Sequence, residues 1–310
     1  MRFIGSRYDN CKVIIMKKPK QKMIFKILIA TTLIALILVM FDCRMVVRRY
    51  EINSPKIDTP IRVALITDLH SCKYGKNQTN LLDAIYAESP DIVLLGGDIF
   101  DDDIEDTNTE LFLAGIYDRY PCYYVTGNHE YWSGQAKFSA KIDILNKYNI
   151  VILAGTSEVV EVNGESINIC GVNDPDAYMV EIDSETDPQA YTDAQNQKEV
   201  TFAQQLDNVS SISENGNFML LLSHRPEFFE LYTDYDFDLV LSGHAHGGQC
   251  RIPLILNGLY SPDQGIFPEY AGGRYEQNGT TMIVSRGLAR ESTWAPRIFN
   301  RPELVIVDIT

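Results

Sequence analysis

The chain is short of basic side chains and of organised cysteine. Across 310 residues, 27 Lys and Arg face 42 Asp and Glu, a formal charge of −15, and none of the six cysteines is spaced as CxxC. The few cations are also unevenly placed. Residues 1–43 hold eight basic and two acidic side chains, which leaves 19 basic and 40 acidic, a charge of −21, on residues 44–310. A body that acidic repels polyanions at long range, so no nucleic-acid partner is expected. Without CxxC or zinc-finger spacing, Cys72, Cys122, Cys170 and Cys250 read as free, partly buried thiols. No internal repeat or low-complexity tract is present. At 45% apolar and 22% charged residues, the chain is neither disordered nor fibrous and can bury a full core.

One stretch lacks charge altogether. Ile27 to Phe41 is 15 uncharged residues, and Met23, Ile24 and Phe25 extend it to 19 if Lys26 snorkels. At about 1.5 Å per residue, that nearly spans the ~30 Å hydrocarbon core of a bilayer. Lys17, Lys18, Lys20, Lys22 and Lys26 precede it, which predicts residues 1–22 as a basic cytoplasmic tail and 23–41 as a single-pass anchor in the cell membrane. The body would then lie outside the cytoplasm, although Arg44, Arg48 and Arg49 weaken that orientation. The rival reading is a cleaved signal peptide. Asp42-Cys43-Arg44 offers no small-x-small cleavage site, however, and Phe41-Asp42 is a poor lead-in to a lipoprotein cysteine, so an uncleaved anchor is favoured. Residues 42–59 read as a linker, and 60–310 as one large domain.

From Pro60 onward, apolar runs alternate with helically spaced ones. Ile61 to Thr67 and Ile92 to Leu95 read as buried strands around the helix Thr79 to Glu88, a βαβ unit. Leu111 to Tyr117 and Ala136 to Tyr148 read as helices, and Tyr123 to Thr126 and Val151 to Leu153 as strands. Asn163-Gly164 marks a hairpin between Val159–Val162 and Ile167–Val172. Further strands are expected at Phe218–Leu222, Leu239–Leu241, Thr281–Val284 and Leu304–Ile309. Residues 173–198, acidic and weakly periodic, read as a loop or cap leading into a helix near Val200–Leu206.

The chemistry lies just past the strands. Asp68-Leu69-His70, Gly97-Asp98, Gly127-Asn128-His129-Glu130, Ser223-His224-Arg225 and Gly243-His244-Ala245-His246 each follow one, and together they hold all five histidines of the chain. In an α/β sheet the carboxyl ends of the strands are where ligands bind, so these side chains can converge. Asp68, His70, Asp98, Asn128, His224, His244 and His246 are seven oxygen and imidazole donors, too many for one tetrahedral zinc. They suit two adjacent divalent ions of the manganese, iron or zinc type, bridged by a carboxylate.

The order D-x-H, G-D-x-x-D, G-N-H-E, H, G-H-x-H, running from about Arg62 to Gly247, resembles the calcineurin-like metallophosphoesterases. Ser223–Phe229, Asp238–Gln249, Ser285–Leu288 and Phe299–Leu304 resemble most its membrane-anchored bacterial branch, typified by YkuE and YaeI. Asp102 stands where Ser/Thr protein phosphatases carry the Arg of G-D-x-x-D-R-G, so a protein phosphatase is not expected. The resemblance implies an α/β fold, a four-layer αββα sandwich, behind the N-terminal transmembrane helix. It implies one ion on Asp68, His70 and His246, a second on Asn128, His224 and His244, and Asp98 bridging both, with manganese the favoured metal. The implied reaction is in-line attack on phosphorus by a metal-bridging hydroxide, with His129 beside the leaving-group oxygen and Glu130 orienting the loop.

Around that set, Arg225 reads either as a substrate-phosphate contact or as a shield for the acidic domain. Asn173 and Asp174 read mainly as turn formers, Cys72 as packing, Trp132 as a wall of the pocket and Trp294 as structural. Of Asp101, Asp102 and Asp103, only Asp101 fits the motif. The leading functional expectation is therefore a membrane-anchored phosphoesterase whose substrate is a phospholipid or a lipid-linked nucleotide sugar, as for a UDP-2,3-diacylglucosamine hydrolase. A catalytically silent metal-binding scaffold of the same fold is the alternative; an intracellular nucleotidase with a misread leader is a third.

Overall fold

Strands that are apolar at every position must be covered on both faces, and the alternation within them shows what covers each. In β2 (Ile61–Ile66), Val63 and Leu65 join one apolar cluster, while Ala64 and Ile66 join another. Strands β3 (Ile92–Gly96) and β14 (Glu303–Ile309) divide in the same way, as do β8 (Phe218–Leu222) and β9 (Leu239–Ser242) with a third cluster. Period-two alternation inside continuous apolar runs is what a strand buried on both sides requires.

The computed structural model describes residues 18–179, 188–290 and 296–310. Two six-stranded sheets form the body. The remaining strands of the first are β1 (Val46–Ile52), β4 (Cys122–Val125) and β5 (Val151–Ile152), in the order β1-β14-β2-β3-β4-β5. The second contains β6 (Thr156–Val162), β7 (Glu165–Gly171), β12 (Gly273–Gln277) and β13 (Thr280–Val284), in the order β12-β13-β9-β8-β7-β6. Leu65, Leu94 and Val125 of the first sheet share a cluster with Ile169, Leu222 and Leu241 of the second, so the sheets pack face to face. The outer face of the first sheet is covered by α2 (Thr79–Glu88), α3 (Thr107–Ile116) and α5 (Gln135–Lys147). That of the second is covered by α6 (Pro188–Ser210) and α7 (Phe229–Tyr232). The result is the four-layer αββα sandwich.

Helix boundaries follow local chemistry. Helix α2 buries Leu81, Leu82 and Ile85 and stops at Ser89, which turns left-handed (φ 50°) and closes its N–H onto the carbonyls of Ile85 and Tyr86. Pro90 follows and cannot donate the next helical bond. The short α4 (Asn128–Trp132) starts directly after β4 and carries two of the polar motif residues.

Three segments differ from expectation. Within 42–59, read as a linker, Val46–Ile52 pairs in parallel with β14 from Val46↔Glu303 to Ile52↔Ile309. As an edge strand it exposes Arg48 and Arg49, which is why no apolar run announced it. Strand β12 escaped for the same reason: it is a half-exposed edge without an apolar run. Helix α6 begins at Pro188, twelve residues before the expected Val200, because its polar first half lacks helical periodicity. Trp294 lies outside the described residues.

The described part of the N-terminal unit is helix α1 (Lys18–Met40). Its segment Lys22–Met40 is 19 residues long with mean hydropathy 2.6, long and apolar enough to cross a membrane; a signal sequence meets the same test.

Because β14 lies between β1 and β2 and its Ile306 is fully buried, Ile306→Ala is expected to lower the unfolding free energy by about 2–5 kcal/mol in urea titrations. Val159→Ala, at a half-exposed position of the edge strand β6, is expected to stay within about 0.5 kcal/mol of the parent.

Candidate metal centre

The carboxyl ends of β2, β3 and β4 in one sheet and of β7, β8, β9 and β13 in the other deliver polar loops to a single region. The backbone there is strained. Asp68, His70, Asp98, His244 and His246 all hold left-handed φ, between 46° and 64°, each at a cost of about 1–2 kcal/mol for a residue with a side chain. Glycines give the loops room to meet. A Cβ on Gly97, itself at φ 87°, would lie 2.5 Å from His224 Nδ1, and one on Gly243 would lie 2.6 Å from Asp68 Oδ2.

Two overlapping sets of donors result. Asp68, His70, Asp98 and His246 each place a ligand atom within 4.8 Å of the others, as do Asp98, His224 and His244. Asp98 belongs to both. Its Oδ2 lies 3.5 Å from His70 Nε2 and 3.2 Å from His224 Nε2, while its Oδ1 accepts the His129 backbone N–H at 2.9 Å. Asn128 adds a buried Oδ1.

The imidazoles are oriented by their other nitrogens. A carboxylate or carbonyl can only accept, so His70 Nδ1–H donates to Asp101 Oδ2 (2.9 Å) and His224 Nδ1–H to the Gly96 carbonyl (2.8 Å). The His70 and His224 Nε2 atoms are thereby turned inward. On His244 it is Nε2–H that donates, to Asp263 Oδ2 (3.0 Å). Such outer partners fix tautomer and ring angle in metal sites. His129, one-fifth exposed, donates Nδ1–H to Asp102 Oδ1 (2.6 Å), and its ring meets that of His70 edge-on at 4.4 Å between centroids.

The donor set fits cations. Among the described residues, Asp68 Oδ2, Asp98 Oδ2, Asn128 Oδ1, His70 Nε2 and His224 Nε2 are all buried without a hydrogen-bond partner, although buried polar atoms are normally satisfied. Burial alone would push His224 down, yet Asp98, Asp68 and Asp174 raise it to about 10, a measure of how strongly the surrounding carboxylates favour positive charge there. Burial likewise opposes ionisation of Asp98, but His224, His129 and His70 hold its carboxyl well below the usual range.

Glu130 is fully buried, and its carboxylate accepts the backbone N–H groups of Gly127, Asp98, Ile99 and Phe100 at 2.7–3.1 Å. It therefore ties the loop after β4 to the loop after β3. Trp132 lines the cavity beside the centre, about 370 Å³ in volume, and bonds Asp176 through Nε1. Cys72 is buried in the apolar cluster outside the first sheet.

Arg225 is placed differently from a substrate contact. It is 3% exposed and enclosed by Asp174 (2.5 and 3.0 Å), Asp176 (3.4 Å), Glu227 (3.5 Å) and Asp263. Its charge is neutralised within the protein, and its Nη1 lies 3.1 Å from His244 Nε2. Asp174, read as a turn former, does accept the Asp176 N–H (2.8 Å) but also anchors this arginine. Gln249, Tyr260 and Pro262 line the cavity too, and Asp263 orients His244. Gln249 closes the run Asp238–Gln249 that carried the resemblance, whereas the motif order carried no signal for Tyr260, Pro262 and Asp263, which come from the β10–β11 region well past it.

The chain is similar to several known proteins. Residues 61–248 match the calcineurin-like phosphoesterase family. An uncharacterized metallophosphoesterase of Helicobacter pylori is 30% identical over 78% of this chain, which spans 58% of that relative's length. The phosphodiesterase YaeI of Escherichia coli is 24% identical over 81% of this chain and 82% of its own. A dimetal phosphatase from Danio rerio superposes with a TM-score of 0.49 at 15% identity, covering 74% of this chain and 88% of that one.

A site with this many unsatisfied buried donors is stabilised by whatever fills it. Manganese added to the full chain in detergent is expected to raise its unfolding midpoint, and chelation to reverse the rise; in Asp98→Asn the rise should be much smaller. Asp174→Ala, which leaves Arg225 short of its closest buried partner, is expected to cost about 3–5 kcal/mol in denaturant unfolding.

Proposed function

The chain belongs to the calcineurin-like phosphoesterase family, and on that premise we propose that it is a membrane-anchored hydrolase of phosphoester or pyrophosphate bonds that works with two divalent ions. The observation that carries this reading is the pair of donor sets meeting at Asp98. One ion would take Asp68, His70 and His246, the other Asn128, His224 and His244, with Asp98 shared. Oxygen and imidazole donors without thiolate favour manganese, with iron or zinc as alternatives. When bound, such ions supply Lewis-acid charge and lower the pKa of water from 15.7 toward ~7.

The protein's own groups do the rest. Asp98 takes a hydrogen bond from the backbone of His129, so the loop after β3 that carries the shared carboxylate is tied to the start of α4 that carries the candidate acid. His129 spends Nδ1 on Asp102, which fixes its tautomer and leaves Nε2 as the atom that gives or holds a proton for the leaving-group oxygen. Glu130 keeps the loops after β3 and β4 in register through its backbone hydrogen bonds. Arg225 acts as a positioning residue, since with Asp263 it flanks His244 rather than lining the cavity.

The substrate reading rests on two supports. The relative named a phosphodiesterase favours a diester or pyrophosphate bond over a monoester. The apolar helix Lys22–Met40, read as an uncleaved anchor with residues 1–22 cytoplasmic and the domain outside, favours an amphiphilic substrate such as a phospholipid or a lipid-linked nucleotide sugar. The charge of −21 on residues 44–310 disfavours nucleic acid.

The test compares hydrolysis of a chromogenic phosphodiester and phosphomonoester by the full, manganese-loaded chain. Diester turnover is expected to exceed monoester turnover and to fall to background in Asp98→Asn. His129→Asn should retain bound metal but lose about 10²–10⁴-fold in kcat. A wild-type chain that holds two ions and turns over neither ester would favour the silent scaffold.

A further inference from the structure

The acidic body gathers positive charge around a second cavity. Arg48 and Arg49 of β1, Arg251 beyond β9 and Arg286 beyond β13 line a space of about 450 Å³. Among the described residues, two carboxylates serve these four guanidinium groups. Arg49 pairs with Glu88, while Arg286 (2.7 Å) and Arg48 (3.8 Å) share the buried Glu303. Arg251 donates Nη2 to the neutral amide oxygen of Asn257 (2.5 Å), and its Nη1 is buried without a hydrogen-bond partner among the described residues. Burial, followed by repulsion from Arg286, lowers its guanidinium to about 10. Four cations against two anions leave a local charge of +2, with one orphaned donor that an anionic oxygen would satisfy.

The rim of this cavity is apolar. Pro253 lines it and begins a tight turn in which the N–H groups of Ile255 and Leu256 both return to the Ile252 carbonyl (3.0 and 2.8 Å). The turn holds Leu254 at φ 67° and presents Leu254 and Ile255 almost wholly to solvent (107% and 82% exposed). Further along, the hairpin of β10 (Tyr260–Ser261) and β11 (Gly265–Ile266) exposes Ile266, and Phe267 beside it is exposed as well. Tyr260 of that hairpin lines the metal-centre cavity. Segment 252–267 therefore runs from the arginine cavity to the mouth of the candidate active site. Scattered exposed aliphatics are ordinary, but a run of them beside concentrated positive charge marks an interaction surface.

We propose that segment 252–267 and the adjoining arginine cavity dock the catalytic body onto an anionic bilayer, with headgroup phosphates in the cavity and Leu254 and Ile255 below the headgroups. This deepens the lipid-substrate reading above and rests on helix Lys22–Met40 being an anchor. The occupant follows from tether and charge. Only residues 41–45 separate the end of that helix from β1, which carries Arg48 and Arg49, and five residues reach no further than about 20 Å. Anionic headgroups attract clustered arginines, each adding about fivefold to partitioning, while apolar side chains enter the acyl boundary. A second copy of the chain, with −21 on its own body, is repelled instead. Docking would place the metal-centre mouth at the lipid interface, where an amphiphilic phosphoester is presented headgroup first.

The full chain carrying Leu254→Trp, reconstituted in nanodiscs of phosphatidylcholine with or without phosphatidylglycerol, tests this with bromine-labelled acyl chains. The emission added by the new tryptophan, relative to the parent, is expected to shift to the blue and be mostly quenched in the anionic discs. High salt, or the added pair Arg48→Gln and Arg251→Gln, should abolish that quenching while the unfolding midpoint stays near the parent's. Absence of bromine quenching in chains that have entered anionic discs overturns docking alone. Equal quenching without phosphatidylglycerol, or quenching that appears only as protein concentration rises, also overturns it. A chain that enters neither kind of disc overturns the anchor and docking together.

Discussion

The Asp98 carboxylate is the constraint on which the active end of the molecule depends. It is buried, ionised and shared between the imidazoles of His70 and His224. A buried charge in that position is costly unless cations surround it. The groups around it meet that cost in different ways. His70 and His224 are turned inward by Asp101 and by the Gly96 carbonyl, and the His129 backbone N–H closes on the remaining oxygen of Asp98. Five residues in left-handed backbone conformations accept strain to bring this about. A structure that holds strain and unsatisfied donors at one point is built for a ligand that relieves both.

The fold supplies the rigidity that such strain needs. Each sheet delivers its parallel strand ends to the same edge, and the apolar layer between the sheets holds those edges together. Because the layer between the sheets is apolar, the loops beyond it can carry polar residues without weakening it. Glu130 then links two of these loops through backbone amides. Arg225 and its carboxylates brace the His244 side in the same manner, by satisfying one another away from the cavity.

Charge is divided across the surface for a related reason. An acidic body with a cationic cavity on β1 and the loop after β9 has one face suited to anions. That cavity, the exposed aliphatic turn and the metal-centre mouth follow one another along the same stretch of chain, so the surface that would receive a bilayer and the site that would receive its lipid are neighbours.

What the sequence alone determined is whatever repeats with a short period or sits at fixed spacing. Continuous apolar runs specified the central strands, since a strand buried on two faces cannot be otherwise, and Asn163-Gly164 specified the β6–β7 hairpin. The order of Asp, Asn and His motifs after those strands named the donor types, because oxygen and imidazole suit hard divalent ions. Tertiary structure alone decided the rest. Edge strands β1 and β12 carry no apolar run, so only their pairing with β14 and β13 reveals them. Whether Arg225 faces a substrate or a cage of carboxylates, and whether Asp263 meets His244, depends on residues from separate loops whose approach no local spacing encodes. The same holds for the arginine cavity, which joins β1 to segments some 200 residues away: long-range convergence is set by how the layers pack, and packing leaves no periodic trace in the chain.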